Sequence, residues 1–269
     1  MTLSLSLLCV RHTRLLRLTF FAFLLAMLAV PASAADDWAT LTGRFVYDGD
    51  PSAANKINVT KDVEVCGKFD LKSENVVVGP DKGLASVVVW VRTKKVKAHP
   101  DFEKTAGDEI VFDNKNCRFA PHIEAIRTGQ TLRLKNSDSV AHNSQALTNA
   151  NPQFNVNLPP AGHHDVVFKK TERLPVPISC AIHPWMKGYL VIKDNPYTAV
   201  SGTDGKFNIE NLPAGTELEF QVWHEASGYV DDVKSDSKKL PWKRGRFEKT
   251  LSPGENDLGD ILVSPGLFN

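Results

Sequence analysis

The sequence predicts an all-β chain, a Greek-key β-sandwich packed against a second, smaller β-sandwich, and three observations lead there. From Glu109 onward, short apolar or alternating runs follow one another closely, each ended by Asn, Gly or Pro turn signals. No stretch of that region sustains helical periodicity over ten residues. After Asp194-Asn195-Pro196 the pattern changes to longer alternating strands such as 217–225. The division falls between 35–195 and 196–269.

In order, residues 1–34 read as a secretory signal peptide. Arg11, Arg14 and Arg17 precede an apolar run from about Leu18 to Val30, and Pro31-Ala-Ser-Ala34 offers a cleavage point. That run is too short to span a bilayer comfortably, so no membrane span is expected in the mature chain. An exported, periplasmic or secreted protein follows. Residues 39–47 alternate and end at Asp48-Gly-Asp-Pro51, a strand and a turn. Residues 85–91, Ala-Ser-Val-Val-Val-Trp-Val, are the most continuous apolar run of the mature chain and predict a strand buried on both faces. Strands follow at 109–112, 119–127, 131–135, 165–168 and 189–192, with a polar loop expected over 143–160. In the last part, strands are expected at 217–225, 246–251 and 257–263, with an exposed charged excursion between the first two. The opening runs 41–49 and 85–91 also suit the second unit, which would leave about 105–195 as an insertion within it.

Charge excludes one class of partner. The signal removes three arginines and no acid, so 32 basic residues become 29 against 31 acidic ones. A chain near neutrality gives no support to nucleic-acid binding. Cysteine count adds a constraint. Cys9 leaves with the signal, and Cys66, Cys117 and Cys180 remain. An odd count in an exported protein implies one pair and one thiol with another task. A metal role for Cys180 leaves Cys66 and Cys117 as a disulfide, with two reduced core thiols as the alternative.

The stretch Cys180-Ala-Ile-His183-Pro184-Trp185-Met186 packs a thiolate, an imidazole and a thioether into seven residues. Soft sulfur suits Cu(I), imidazole suits both oxidation states, and two His with a Cys and a weak axial Met form a blue-copper set. The second imidazole is expected from His142, where the alternating run from Leu132 enters a polar loop. Zinc could use some of these ligands, but the thioether favours copper. His163-His164 suits a solvated loop, and His224, at the end of an alternating strand, suits a local hydrogen bond.

The run Cys180-x-x-His183-Pro-Trp-Met186-Lys-Gly188, with Gly129-Gln-Thr-Leu-Arg-Leu-x-Asn136 and His142-Asn143 upstream, resembles the cupredoxins of the amicyanin and plastocyanin branch. The resemblance covers roughly 117–193. It implies one type 1 copper ion held by His142, Cys180, His183 and Met186, with Asn143 tying the two ligand loops together. It also implies that the His183 edge reaches the surface in an apolar patch where protein redox partners dock. Residues 199–215, with Thr203-Asp-Gly205, Phe207-x-Ile209 and Leu212-Pro-Ala-Gly215, resemble the carboxypeptidase regulatory-like, transthyretin-type sandwich module.

These readings lead to an exported carrier of single electrons. The competitors are a copper-binding or delivery protein of the envelope without electron transfer, and a structural sandwich without metal. No nucleophile elbow, second metal cluster or motif-supported carboxylate pair points to an enzyme.

Overall fold

The computed structural model describes residues 38–268. The expected signal peptide, with Cys9, lies outside them. Nineteen strands run through the described residues. β1 (Trp38–Tyr47) and β2 (Val88–Val91) precede β3 (Glu109–Lys115), β4 (Arg118–Ala120), β5 (Ile123–Arg127) and β6 (Thr131–Asn136). β7 (His142–Ala146), β8 (Phe154–Leu158), β9 (His163–Val167), β10 (Val176–Ser179) and β11 (Lys187–Lys193) follow. β12 (Thr198–Val200), β13 (Lys206–Pro213), β14 (Glu217–His224), β15 (Gly228–Tyr229), β16 (Val233–Ser235), β17 (Lys238–Lys239), β18 (Arg246–Thr250) and β19 (Gly254–Val263) complete the chain.

The strands form two sandwiches. In the first, the sheet β5-β11-β10-β7-β8 faces the sheet β4-β3-β6-β9. Phe112, Phe119, Leu132 and Leu134 from one sheet meet Ile126, Ile178, Leu190 and Ile192 from the other, all buried in one apolar core. In the second sandwich, the sheet β13-β1-β19-β16-β17 faces β12-β2-β14-β15, to which β18 adds on β14. Leu41, Phe45, Val89, Phe220, Val222 and Ile261 share its core.

A division at 195 does not follow these sheets. β1 lies between β13 and β19, and β2 lies between β12 and β14. Both early strands therefore belong with the last third of the chain, and β3–β11 form the first sandwich between them. Long-range pairing decides this, and local pattern cannot show it. The apolar run of β2 has the same origin. Val87, Val89 and Val91 point into the second core, while Val88 and Trp90 point the other way. There they pack with Trp223 against Ile123 and Val191 of the first sandwich. Period-two alternation sends successive side chains to opposite faces, and here both faces are covered.

Half of the polar loop expected over 143–160 is strand, since β7 and β8 pair across it from His142↔Leu158 to Ala146↔Phe154. Cys66 and Cys117 form a disulfide. Cys117 sits in the two-residue turn joining β3 and β4, where Asn116 and Cys117 both have positive φ (56° and 55°). Positive φ at both positions is the backbone pattern of primed hairpin turns, which match the strand twist.

Candidate metal centre

Sheet register assembles the site. β10 ends at Ser179 and β11 begins at Lys187, and these two residues pair, so 180–186 is a tight loop across adjacent antiparallel strands. Inside it the Cys180 N–H donates to the Met186 carbonyl at 3.2 Å and the Met186 N–H to the His183 carbonyl at 2.9 Å. Gly188 is needed just after it, because a Cβ there would come within 2.7 Å of the His122 carbonyl oxygen. β7 pairs with β10 through Gln145 and Ser179, which sets His142 and Asn143 beside Cys180.

One donor atom from each of His142, Cys180 and His183 lies within 4.8 Å of the others, and all three residues are buried. The Cys180 Sγ is 3.7 Å from His183 Nδ1. His142 Nδ1 is buried without a hydrogen-bond partner, while its Nε2 is 2.9 Å from Asp138 Oδ2. A buried, unpaired polar atom costs about 1–3 kcal/mol unless something satisfies it. The sulfur accepts the N–H groups of Asn143 at 3.3 Å and His183 at 3.4 Å. Asn143 also reaches the other loop through its Oδ1, which accepts the Ala181 N–H at 3.2 Å. Met186 is buried in the apolar cluster that contains Cys180. A second grouping, Cys117, Asp138 and His142, offers no thiolate because Cys117 is in the disulfide.

Electrostatics favour a charged pair in the metal-free protein. Burial disfavours the Cys180 thiolate, but the His142 imidazole beside it and the N–H groups of Asn143 and His183 outweigh it and bring the pKa down to about 6. Burial also disfavours the His142 imidazolium, yet Asp138 and the Cys180 sulfur raise its pKa to about 9. At neutral pH the proton therefore rests on the imidazole.

Two carboxylates back the imidazoles, and sequence reasoning missed both. Asp138, four residues before His142, carried a local signal in its spacing. Asp62 carried none. Its Oδ2 is 2.8 Å from His183 Nε2, across 121 positions of sequence. This contact overturns the expected open edge for partner docking near His183, because His183 is fully buried beneath Asp62. Pro184 is exposed and Trp185 half-buried, with the Trp185 ring 5.1 Å from that of His183 and its Nε1–H donating to the Cys117 carbonyl. Elsewhere, His163 and His164 are exposed on β9, and His122 bonds to Glu225.

No family model matches the chain, and no curated protein matches it. Among solved structures, a copper-containing nitrite reductase from Thermus scotoductus is 21% identical with a TM-score of 0.29, over 32% of this chain and 22% of its own. The chain thus spans less than a quarter of that enzyme. A purple cupredoxin from Nitrosopumilus maritimus is 26% identical with a TM-score of 0.27, over 31% of this chain and 97% of its own. An amicyanin variant in the Cu(I) state is 15% identical with a TM-score of 0.28, over 39% and 97%.

Proposed function

We propose that the protein is an exported carrier of single electrons in which His142, Cys180, His183 and Met186 would hold one type 1 copper ion. The observation that carries this reading is the buried set of two imidazole nitrogens and a thiolate sulfur within 4.8 Å. The unpartnered His142 Nδ1 and the stabilised Cys180 thiolate fit a soft cation. Bound there, copper would supply the one-electron Cu(II)/Cu(I) couple. The chain supplies the rest. Its rigid two-loop frame holds the donors, amide hydrogen bonds stabilise the sulfur, and Asp138 and Asp62 fix the outward nitrogens of the two imidazoles. With Cys180 already ionised at neutral pH, metal uptake releases its proton from His142. Export is supported by the disulfide, which persists in oxidising compartments. A protein redox partner would meet the chain near Pro184 and Trp185, the exposed part of the loop.

One observation favours a second reading. The covered His183 edge suits a protein that binds or delivers copper in the envelope without passing electrons. Adding Cu(II) to the purified mature chain and recording its visible spectrum tests the site. A strong thiolate charge-transfer band is expected, and a folded protein that stays colourless would point to a structural sandwich. Reversible one-electron voltammetry then supports the carrier, and its absence supports copper handling.

A further inference from the structure

Residues 50–75 leave the second sandwich after β1 and lie across the ligand loop of the first. Their own core is small, with Cys66 and Leu71 the only fully buried residues among them and Ile57, Val59, Val65 and Phe69 packed half-buried against these. Beyond the exposed ion pair of Asp50 with Lys82, several of their contacts reach the ligand side of the first sandwich. Cys66 is bonded to Cys117, and these two with Leu71 pack against Trp185 of the ligand loop. Arg118 donates to Glu74 at 3.4 Å. Asp62 reaches His183. The geometry at Asp62 is specific. It has left-handed backbone (φ 46°, ψ 44°), and its carbonyl accepts the N–H groups of Val65 and Cys66 to open the short helical turn Val63–Cys66. Asp is one of the few non-glycine residues that tolerates that conformation. The turn thus aims the Asp62 carboxylate at the imidazole and sends Cys66 towards Cys117.

We propose that residues 50–75 are a lid over the metal centre, with Asp62 as the positioning residue that latches it to His183 and the Cys66–Cys117 disulfide as the pin that holds it down. Closed, the lid accepts the proton of His183 Nε2, which leaves Nδ1 bare and facing Cys180, and it shuts solvent, chelators and partner proteins away from the imidazole. Open, it uncovers His183 and the thiolate 3.7 Å behind it. A segment with so few buried side chains opens locally at low free-energy cost, so the latch and the pin decide how often it does. The inference rests on the copper reading, but its first two tests do not need copper.

The tests use the full mature chain, as wild type, Asp62→Ala and Cys66→Ser/Cys117→Ser. In the metal-free proteins, alkylation of Cys180 by a small maleimide is followed by peptide mass spectrometry, and the His183 tautomer is read from nitrogen-15 chemical shifts. Wild type is expected to react slowly and to carry its proton on Nε2. Asp62→Ala is expected to react roughly 10–100-fold faster, as for loss of one charged hydrogen bond, and to show mixed tautomers. The double Ser variant should react faster still. If that variant fails to fold, Asp62→Ala decides alone. An unchanged rate and tautomer in folded Asp62→Ala would overturn the lid. With Cu(I) bound, transfer to an aromatic diimine chelator should be roughly 10–100-fold faster in Asp62→Ala. Equal transfer rates would also count against the lid, whereas failure of every protein to load copper would count against the copper reading alone.

Discussion

Asp138 and His142 meet through Oδ2 and Nε2 at 2.9 Å, and the same carboxylate accepts the Cys117 and Asn116 N–H groups at 2.8 and 2.7 Å. One side chain thus joins the imidazole of a candidate ligand to the turn that carries the disulfide. It also settles which ring nitrogen of His142 is left to face Cys180. Carboxylates placed behind ligand imidazoles typically change metal affinity by about 10–100-fold when removed. Asp138→Ala should weaken copper binding by about that factor, measured by competition with a chelator of known affinity. Equal affinity in the variant would show that the contact serves the turn and not the site.

Cys180 is the only free cysteine among the described residues, and it is buried. Ser in its place keeps the size and loses the soft anion, so Cys180→Ser should abolish the charge-transfer colour with copper while near-ultraviolet circular dichroism stays unchanged. A variant that keeps the colour would show that the sulfur is not a ligand.

Features carried by neighbouring residues were legible in the sequence, and those that depend on distant chain were not. Cys180, His183 and Met186 fall within seven residues, so their chemistry shows in one glance at the sequence. The strand β7 escaped because its buried positions His142, Asn143 and Ser144 are polar and the usual apolar alternation is missing. Asp62 escaped because it reaches His183 only through a segment that has little core and is held by a cross-link 51 residues long. The outer strands escaped the domain boundary for the same reason, since β1 meets β13 and β19 only after the whole first sandwich has been threaded between them.

That threading makes a prediction about fragments. β3 to β11 pair only with one another in the two sheets of the first sandwich. Residues 107–195 should therefore fold alone, giving dispersed amide resonances. Residues 196–269 lack β1 and β2, which lie inside their sheets, and should remain unfolded alone. They should fold when a fragment spanning 38–91 is added. A folded 196–269 on its own would show that the early strands only decorate the second sandwich.

His224 gives the acid limb of stability. It ends β14, is fully buried, accepts the Ala226 N–H on Nδ1 at 3.2 Å, and has the Phe268 ring 5.1 Å away. Burial drives its pKa down to about 4, with the nearby His122 charge adding to the effect and the Ala85 backbone opposing it. Between about 4 and the ordinary value of 6.5 the unfolded chain binds a proton that the folded chain refuses, so stability falls as pH drops through that window. Other groups act differently. His122, despite its burial, is raised by Glu225 and Glu74, and that contribution is complete below the ordinary value and lost as pH rises. Burial raises Glu124 to about 7, which opposes His224 in the same range, so the wild-type curve alone is not diagnostic. The comparison with His224→Leu removes these shared terms. Relative to that variant, wild type should lose about 2–3 kcal/mol between pH 7 and pH 4.5, read from urea unfolding at each pH. A gap that stays constant with pH would mean that His224 titrates alike in both states, and the acid limb would then have to come from elsewhere.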